Sequence, residues 1–206
     1  IKYFFEAIII YIFFVIIKLI GLNNGRRLFS YIFIKIGPLV KSKKVVEENI
    51  YRVFENNIDN KKVIAEMWSN YGKVFVEYIF LKKFKNNSSK SKFVNIKNLK
   101  ILDEIIKSKK PVIFISGHFA NFELMSMELV KKQINLATIY RPLNNIFLNP
   151  LMEYLRKKFI CKNQIKKGIS GTRECINYLN NNYSVALMVD QRVSEGKRLP
   201  FFKHGA

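Results

Sequence analysis

The 206-residue chain is poor in the residues that build several common kinds of site. Its two cysteines, Cys161 and Cys175, are too few and too far apart for a disulfide framework or a C-x-x-C site. Both read as buried small hydrophobes in a reducing compartment. Only two histidines occur, His118 and His204, which excludes a histidine-rich metal site; neither a metal nor a cofactor is expected. Acidic residues are scarce too, with 15 Asp plus Glu against 36 Lys plus Arg and a formal net charge of +21. What is abundant is apolar: 49% of residues are hydrophobic and 14% aromatic, which excludes a disordered polyelectrolyte. Charges recurring after position 40 exclude a polytopic membrane protein. The length suits one domain with a small appendage and a real core.

The basic excess is 28 Lys against 8 Arg, in a chain also crowded with Ile, Asn and Phe. Compositional bias supplies lysines of that kind without a binding patch, so charge alone does not choose between nucleic acid, anionic lipid and an acidic carrier protein. No zinc-finger spacing, glycine-rich phosphate loop or aromatic RNA-binding signature speaks for nucleic acid.

The amino-terminal tract YFFEAIIIYIFFVIIKLIGL (3–22) is apolar without interruption from Ala7 to Ile17. As a helix of twenty residues it would extend about 30 Å, one hydrocarbon core. Glu6 and Lys18 lie near its ends, where long side chains snorkel. No small-x-small cleavage site follows, which disfavours a signal peptide. A very hydrophobic core helix is the plain alternative, and spanning and interfacial placements both fit. The next segment, GRRLFSYIFIKIG (25–37), suits a membrane surface. Arg26, Arg27 and the following lysines put the remainder on the cytoplasmic side by the positive-inside rule.

Residues 43–57 and 61–83 carry apolar side chains at helical spacing, and the polar tract FKNNSSKSK (84–92) reads as a junction. Beyond it the pattern alternates. FVNI (93–96), PVIFIS (111–116), INLATIY (134–140) and SVALMVD (184–190) read as strands, with PVIFIS and SVALMVD buried on both faces. Helices are expected over 99–110, 118–133, most of 144–159, and 170–182. Strands alternating with helices imply an α/β fold, a mostly parallel sheet flanked by helices, preceded by an N-terminal membrane-associated helix. The expected division is an anchor helix over 1–22, a helical membrane-proximal region over 23–92 and an α/β core over 93–206. The chain starts at Ile1 rather than Met and stops at Ala206, which reads as a truncated core lacking the C-terminal part of its fold.

The sharpest local feature is SGHFANFE (116–123). A strand ends at Ser116, Gly117 lets the chain turn, and His118 is expected at the start of a helix. Open α/β sheets place their sites beyond strand carboxyl ends, and a helix start offers N–H groups to an anion or developing oxyanion. Glu123 lies a little over one helical turn on. A carboxylate reached there would fix the imidazole tautomer and leave the other ring nitrogen as a base. The spacing H-x-x-x-x-E is weak alone, and a helix-capping His with an exposed Glu is the plain alternative.

SGHFANFELM resembles the signature of the lipid A biosynthesis acyltransferases, the late lauroyl/myristoyl enzymes, written around an H-x-G-N-W/F-E core. IYRPLNNIFLNPLMEYLR (139–156) resembles the family's Y-R-P-x-x-N segment, and VALMVDQ with GKRLPFF (185–202) its D-Q-x-x-x-x-G…P-F-F segment. YFFEAIII is similar to the family's membrane-anchoring helix. The likeness covers nearly the whole chain. Departures are Ala120 where Gly is commoner, Lys203 where Gly is common, and a chain end before the usual Ala-x-T.

The resemblance implies acyl transfer from acyl carrier protein to a hydroxyl of a lipid A precursor at the inner membrane, with the catalytic domain facing the cytoplasm. It makes His118 the general base and Glu123 its orienting partner. Asn121 would hold a substrate group or, equally, cap the helix start. Arg141, at a strand's carboxyl end, suits a phosphate or an oxyanion, with a loop salt bridge as the alternative. Gly117, Asp190 and Gln191 are supporting residues, Asp190 by anchoring Arg141 or the His118 loop. Arg192, Lys197 and Arg198 read as a solvated basic rim, and His204 as unrelated. The partners implied are acyl carrier protein, an anionic glycolipid acceptor and the membrane, not nucleic acid. Two rival readings are a glycerolipid or other glycolipid acyltransferase with the same His–acid dyad, and a non-catalytic basic protein binding anionic membrane.

Overall fold

The structure, a computed structural model, describes residues 1–40, 43–55, 58–86, 93–190, 200–201 and 204–205. Two compact units emerge. One joins Ile1–Ile16 to Tyr78–Asp190, and the other has Ile17–Glu77 as its principal described part.

α1 (Lys2–Val40) begins in the first unit and continues in the second, where it is broken at Gly21, whose φ of 81° and ψ of 172° interrupt the helix. Only glycine adopts that backbone without strain. α2 (Lys43–Phe54) and α3 (Asn60–Glu77) follow. The part of α1 beyond the break packs on α3 at very short range. A Cβ on Gly72 would stand 2.3 Å from the Phe29 carbonyl oxygen. Phe29 and Phe33 flank Phe75, Ser30 and Ser69 hydroxyls meet at 2.6 Å, and Arg26 grips the buried Glu77 through Nε at 2.8 Å and Nη2 at 2.6 Å. Arg26, expected to mark the cytoplasmic membrane face, is therefore committed to an ion pair inside its own unit.

The other unit carries the sheet. A 3-10 turn (Tyr78–Phe80) leads into α4 (Leu81–Asn86), so the helix expected over 61–83 is split in two. Then come α5 (Leu99–Ser108), β1 (Ile113–Ser116), α6 (Glu123–Lys131) and β2 (Leu136–Tyr140). α7 (Asn149–Leu155) runs into a π-helical turn (Arg156–Ile160), followed by β3 (Asn163–Lys166), α8 (Ile169–Asn180) and β4 (Ser184–Met188). In the second unit, the backbone of β5 (Pro200–Phe201) and β6 (His204–Gly205) forms a short antiparallel pair.

The four strands β1 to β4 make an all-parallel sheet in the order β1-β4-β2-β3. This is the expected α/β class. Leu136, Ala137, Ile165, Val185 and Ala186 form its buried centre, with Met127 and Leu129 of α6 also in the core. Cys161 is buried and directs its thiol to the Leu136 carbonyl at 3.0 Å; burial pushes that thiol's pKa up, as for an unreactive structural cysteine.

Three expectations need correction. Residues 93–96 form no strand, and β3 was not anticipated, because NQIK offers a single apolar residue, Ile165. β1 is not buried on both faces: among the described residues it is an edge strand, with Ile113 and Ile115 52% and 66% exposed. α6 starts five residues after His118, at Glu123.

Replacing Gly72 with Ala should separate α1 from α3 and cost about 1–3 kcal/mol, despite alanine's better helix propensity. Thermal unfolding in detergent solution reads this, and an unchanged midpoint would refute the close approach.

Candidate active site

The site follows from strand pairing. In the parallel register Ser116 of β1 faces Met188 of β4, and two residues beyond each strand stand His118 and Asp190. Asp190 Oδ2 accepts the His118 backbone N–H at 2.6 Å, and Oδ1 lies 2.6 Å from the ring Nδ1. Gly117 makes room for this, since a Cβ there would stand 2.9 Å from Asp190 Oδ2. The Phe119 N–H closes a tight turn on the Gly117 carbonyl at 2.8 Å, and the Phe122 ring meets the imidazole edge-on at 4.4 Å between centroids. With its proton on Nδ1 donated to the carboxylate, the imidazole presents Nε2 as a base. Ala120 sits in the left-handed region at φ 44°, which explains in steric terms why glycine suits this position.

Burial works against the Asp190 charge, but the bonds from the His118 N–H and ring outweigh it and hold the carboxyl below its usual range. The carboxylate expected beside His118, Glu123, is engaged elsewhere. Because α6 begins at Glu123, its side chain enters the protein interior instead of turning back to the histidine. There Glu123 Oε1 accepts the Tyr78 hydroxyl at 2.6 Å and Arg156 Nε at 2.7 Å. Both members of the ion pair are nearly buried, with side chains 9% and 13% exposed. Burial, reinforced by the Glu123 charge, drives the Tyr78 pKa far above that of an ordinary phenol. Desolvation opposes the Arg156 charge, but Glu123 more than offsets it and the guanidinium stays protonated.

This buried pair extends to the loop after β2. The Arg156 guanidinium lies 5.8 Å from the centroid of the Tyr140 ring, and the Tyr140 hydroxyl donates to Glu153 at 2.8 Å. Burial and that bond push the Tyr140 pKa up to about 12. Asn149 Nδ2 donates to the same Glu153 oxygen at 2.9 Å, while Asn149 Oδ1 accepts the Leu143 N–H at 2.8 Å. The segment following Arg141 is thereby tied to the interior.

Arg141 is exposed at the carboxyl end of β2, the same edge of the sheet as His118 and Asp190, and makes no ion pair among the described residues. Asn121 is buried within the turn. Gln191, with Arg192, Lys197 and Arg198, lies outside the described residues; His204 is described only as backbone in β6. Sequence reasoning missed Tyr78 and Arg156. Among the described residues no group of three His, Cys, Asp or Glu side chains is placed to hold a metal ion.

A parallel α/β sheet with a histidine–carboxylate pair beyond adjacent strand ends is a layout suited to general-base chemistry. The chain belongs to the bacterial lipid A biosynthesis acyltransferases, whose family model matches residues 2–206. No curated protein matches it significantly.

Glu123→Gln leaves the Arg156 charge buried without its partner and should cost about 3–5 kcal/mol. Tyr78→Phe removes one hydrogen bond to that carboxylate and should cost about 1–3 kcal/mol. Denaturant unfolding of both variants checks this order, and equal losses would contradict it. Asp190 contributes the opposite pH signature to a raised group. Because its folded pKa is depressed, its contribution is complete above the unfolded value of about 3.9 and fades as pH falls through the lower folded one. The stability gap between wild type and Asp190→Asn should therefore close in acid; a gap independent of pH would count against the contact.

Proposed function

We propose that this chain transfers a fatty acyl group from an acyl carrier protein thioester to a hydroxyl of a lipid A precursor. Membership of the acyltransferase family supports the reaction class, and the observation that carries the mechanism is the His118–Asp190 pair at the ends of β1 and β4. In this reading His118 Nε2 removes the acceptor hydroxyl proton as the oxygen attacks the thioester carbonyl. Asp190 keeps the ring in the tautomer that allows this and stabilises the imidazolium that forms. A tetrahedral oxyanion results; its collapse re-forms the carbonyl and breaks the C–S bond. The proton then passes from imidazolium to the departing thiolate.

Asp190 takes the orienting role that spacing assigned to Glu123. Glu123 acts at one remove, holding Arg156 and through it the loop that follows Arg141. Arg141 meets a phosphate of the acceptor or the oxyanion with its planar fork. Asn121 and Gly117 shape the catalytic turn, and Gln191 stands next to the orienting carboxylate in sequence. No cofactor is required by this scheme. The apolar α1 and the basic surface support attachment to the inner membrane, with the sheet-bearing unit on the cytoplasmic side where acyl carrier protein is found.

His118→Ala should lower acyl transfer to lipid A precursor by at least about 100-fold, and Asp190→Asn by a similar factor, with circular dichroism and vesicle binding retained. Full activity in His118→Ala would sink the assignment. Offering lysophospholipid in parallel separates the glycerolipid reading, because transfer to it in preference to lipid A precursor would move the acceptor class.

A further inference from the structure

Among the described residues α1 is the one helix long and apolar enough to cross a membrane. Its first half, however, is stitched to the loop after β2, within the same compact unit. Asn145 is buried at the centre of the joint. Its Nδ2 donates to the Tyr3 carbonyl at 2.8 Å and approaches Glu6 Oε2 at 3.4 Å. Its Oδ1 accepts the Phe147 and Leu148 N–H groups at 3.0 and 3.3 Å. Two turns further along the helix, the Tyr11 hydroxyl donates to the Phe147 carbonyl at 3.0 Å, and Phe4 meets Phe147 edge to face at 5.6 Å.

These contacts fix positions 3 to 11 of the helix beside the catalytic unit. Only residues 12–20 remain before the Gly21 break, about 14 Å of helix, against the roughly 30 Å a span requires. The face of α1 turned away from the protein nevertheless stays apolar, with Phe5, Ile9, Ile12 and Val15 exposed. The loop adds to it. Ile146 is 68% exposed and Phe147 45%, and the Phe4–Phe147 contact makes helix and loop one patch. A bilayer leaflet fits this patch better than a second protein does. Tyr3 and Tyr11 suit the headgroup level, the loop opens with the cationic Arg141, and the whole chain carries +21.

We propose that the first part of α1, up to Ile16, and the loop 141–148 form one lipid-seating surface, with this part of the helix lying in the plane of the leaflet rather than crossing it. The proposal rests on the membrane attachment read above and adds its geometry. It brings Arg141, at the root of the loop, to headgroup height. The catalytic turn carries its own exposed aromatic, Phe119 at 78%, beside His118. A lipid acceptor then reaches the site from within the leaflet, without leaving it.

The test uses the full chain with Cys161→Ala and Cys175→Ser, labelled with a fluorophore on a single cysteine introduced at Phe5, Ile12 or Ile146. Vesicles of phosphatidylethanolamine and phosphatidylglycerol carry spin-labelled lipid at shallow or deep acyl positions. In-plane seating gives similar, shallow quenching depths at all three sites. A depth that increases by about 10 Å from position 5 to position 12 overturns the seating while leaving membrane attachment intact. No vesicle binding overturns both. Cross-linking between copies through position 146, with no quenching there, assigns the face to a second copy and also overturns the proposal. The variant Ile146→Asp should reduce vesicle partitioning about tenfold, with the circular dichroism spectrum retained. Unaltered partitioning of that variant removes the loop from the surface.

Discussion

Everything at the candidate site depends on the parallel ladder between β1 and β4. Those strands are separated in the chain by two other strands and three helices, yet they lie side by side with Ser116 facing Met188. Because a parallel pair runs in one direction, both chains emerge from the sheet at the same edge and in step. His118 and Asp190 are two residues past that matched point, so the ladder itself brings imidazole and carboxylate together. No separate device is needed to find the partner. Gly117 then supplies the space for Asp190 to close on the backbone as well as the ring.

The interior supplies a second, independent support. A carboxylate and a guanidinium are both withdrawn from water at Glu123 and Arg156, an arrangement that is costly unless every charge finds its partner. The Tyr78 hydroxyl completes the set. From Arg156 the connections pass by way of Tyr140, Glu153 and Asn149 to the Leu143 backbone, so the loop after Arg141 is held at its base. The π-helical turn that begins at Arg156 lies on this route, at the point where the guanidinium reaches Glu123. The turn at His118 and the loop after Arg141 are thus supported by different parts of the same unit.

The sequence was informative where periodicity and local chemistry coincide. Alternation of apolar strands with amphipathic helices predicted the parallel α/β class, and the motif around His118 placed the candidate site at a strand end. Contacts between distant segments were not legible. Spacing favoured Glu123 over Asp190 because local separation is visible in a sequence and strand order is not. The helix start was misplaced for a similar reason: residues 118–122 form a turn stabilised by tertiary bonds to Asp190, which no propensity encodes. β3 was lost because an NQIK strand is recruited by backbone pairing with β2. Arg156 was masked by the neighbouring Lys157 and Lys158. In a chain with 28 Lys and 8 Arg, the two arginines that meet buried carboxylates, Arg26 and Arg156, use a planar fork that lysine lacks.

Ala120 gives the turn a further property. A left-handed alanine costs on the order of 1–2 kcal/mol, and the turn that contains it is pinned at His118 by both oxygens of one carboxylate. Asp190 therefore holds the backbone at the start of that turn as well as the imidazole. The placement of the turn's first residue and the orientation of its imidazole thus depend on the two oxygens of one side chain.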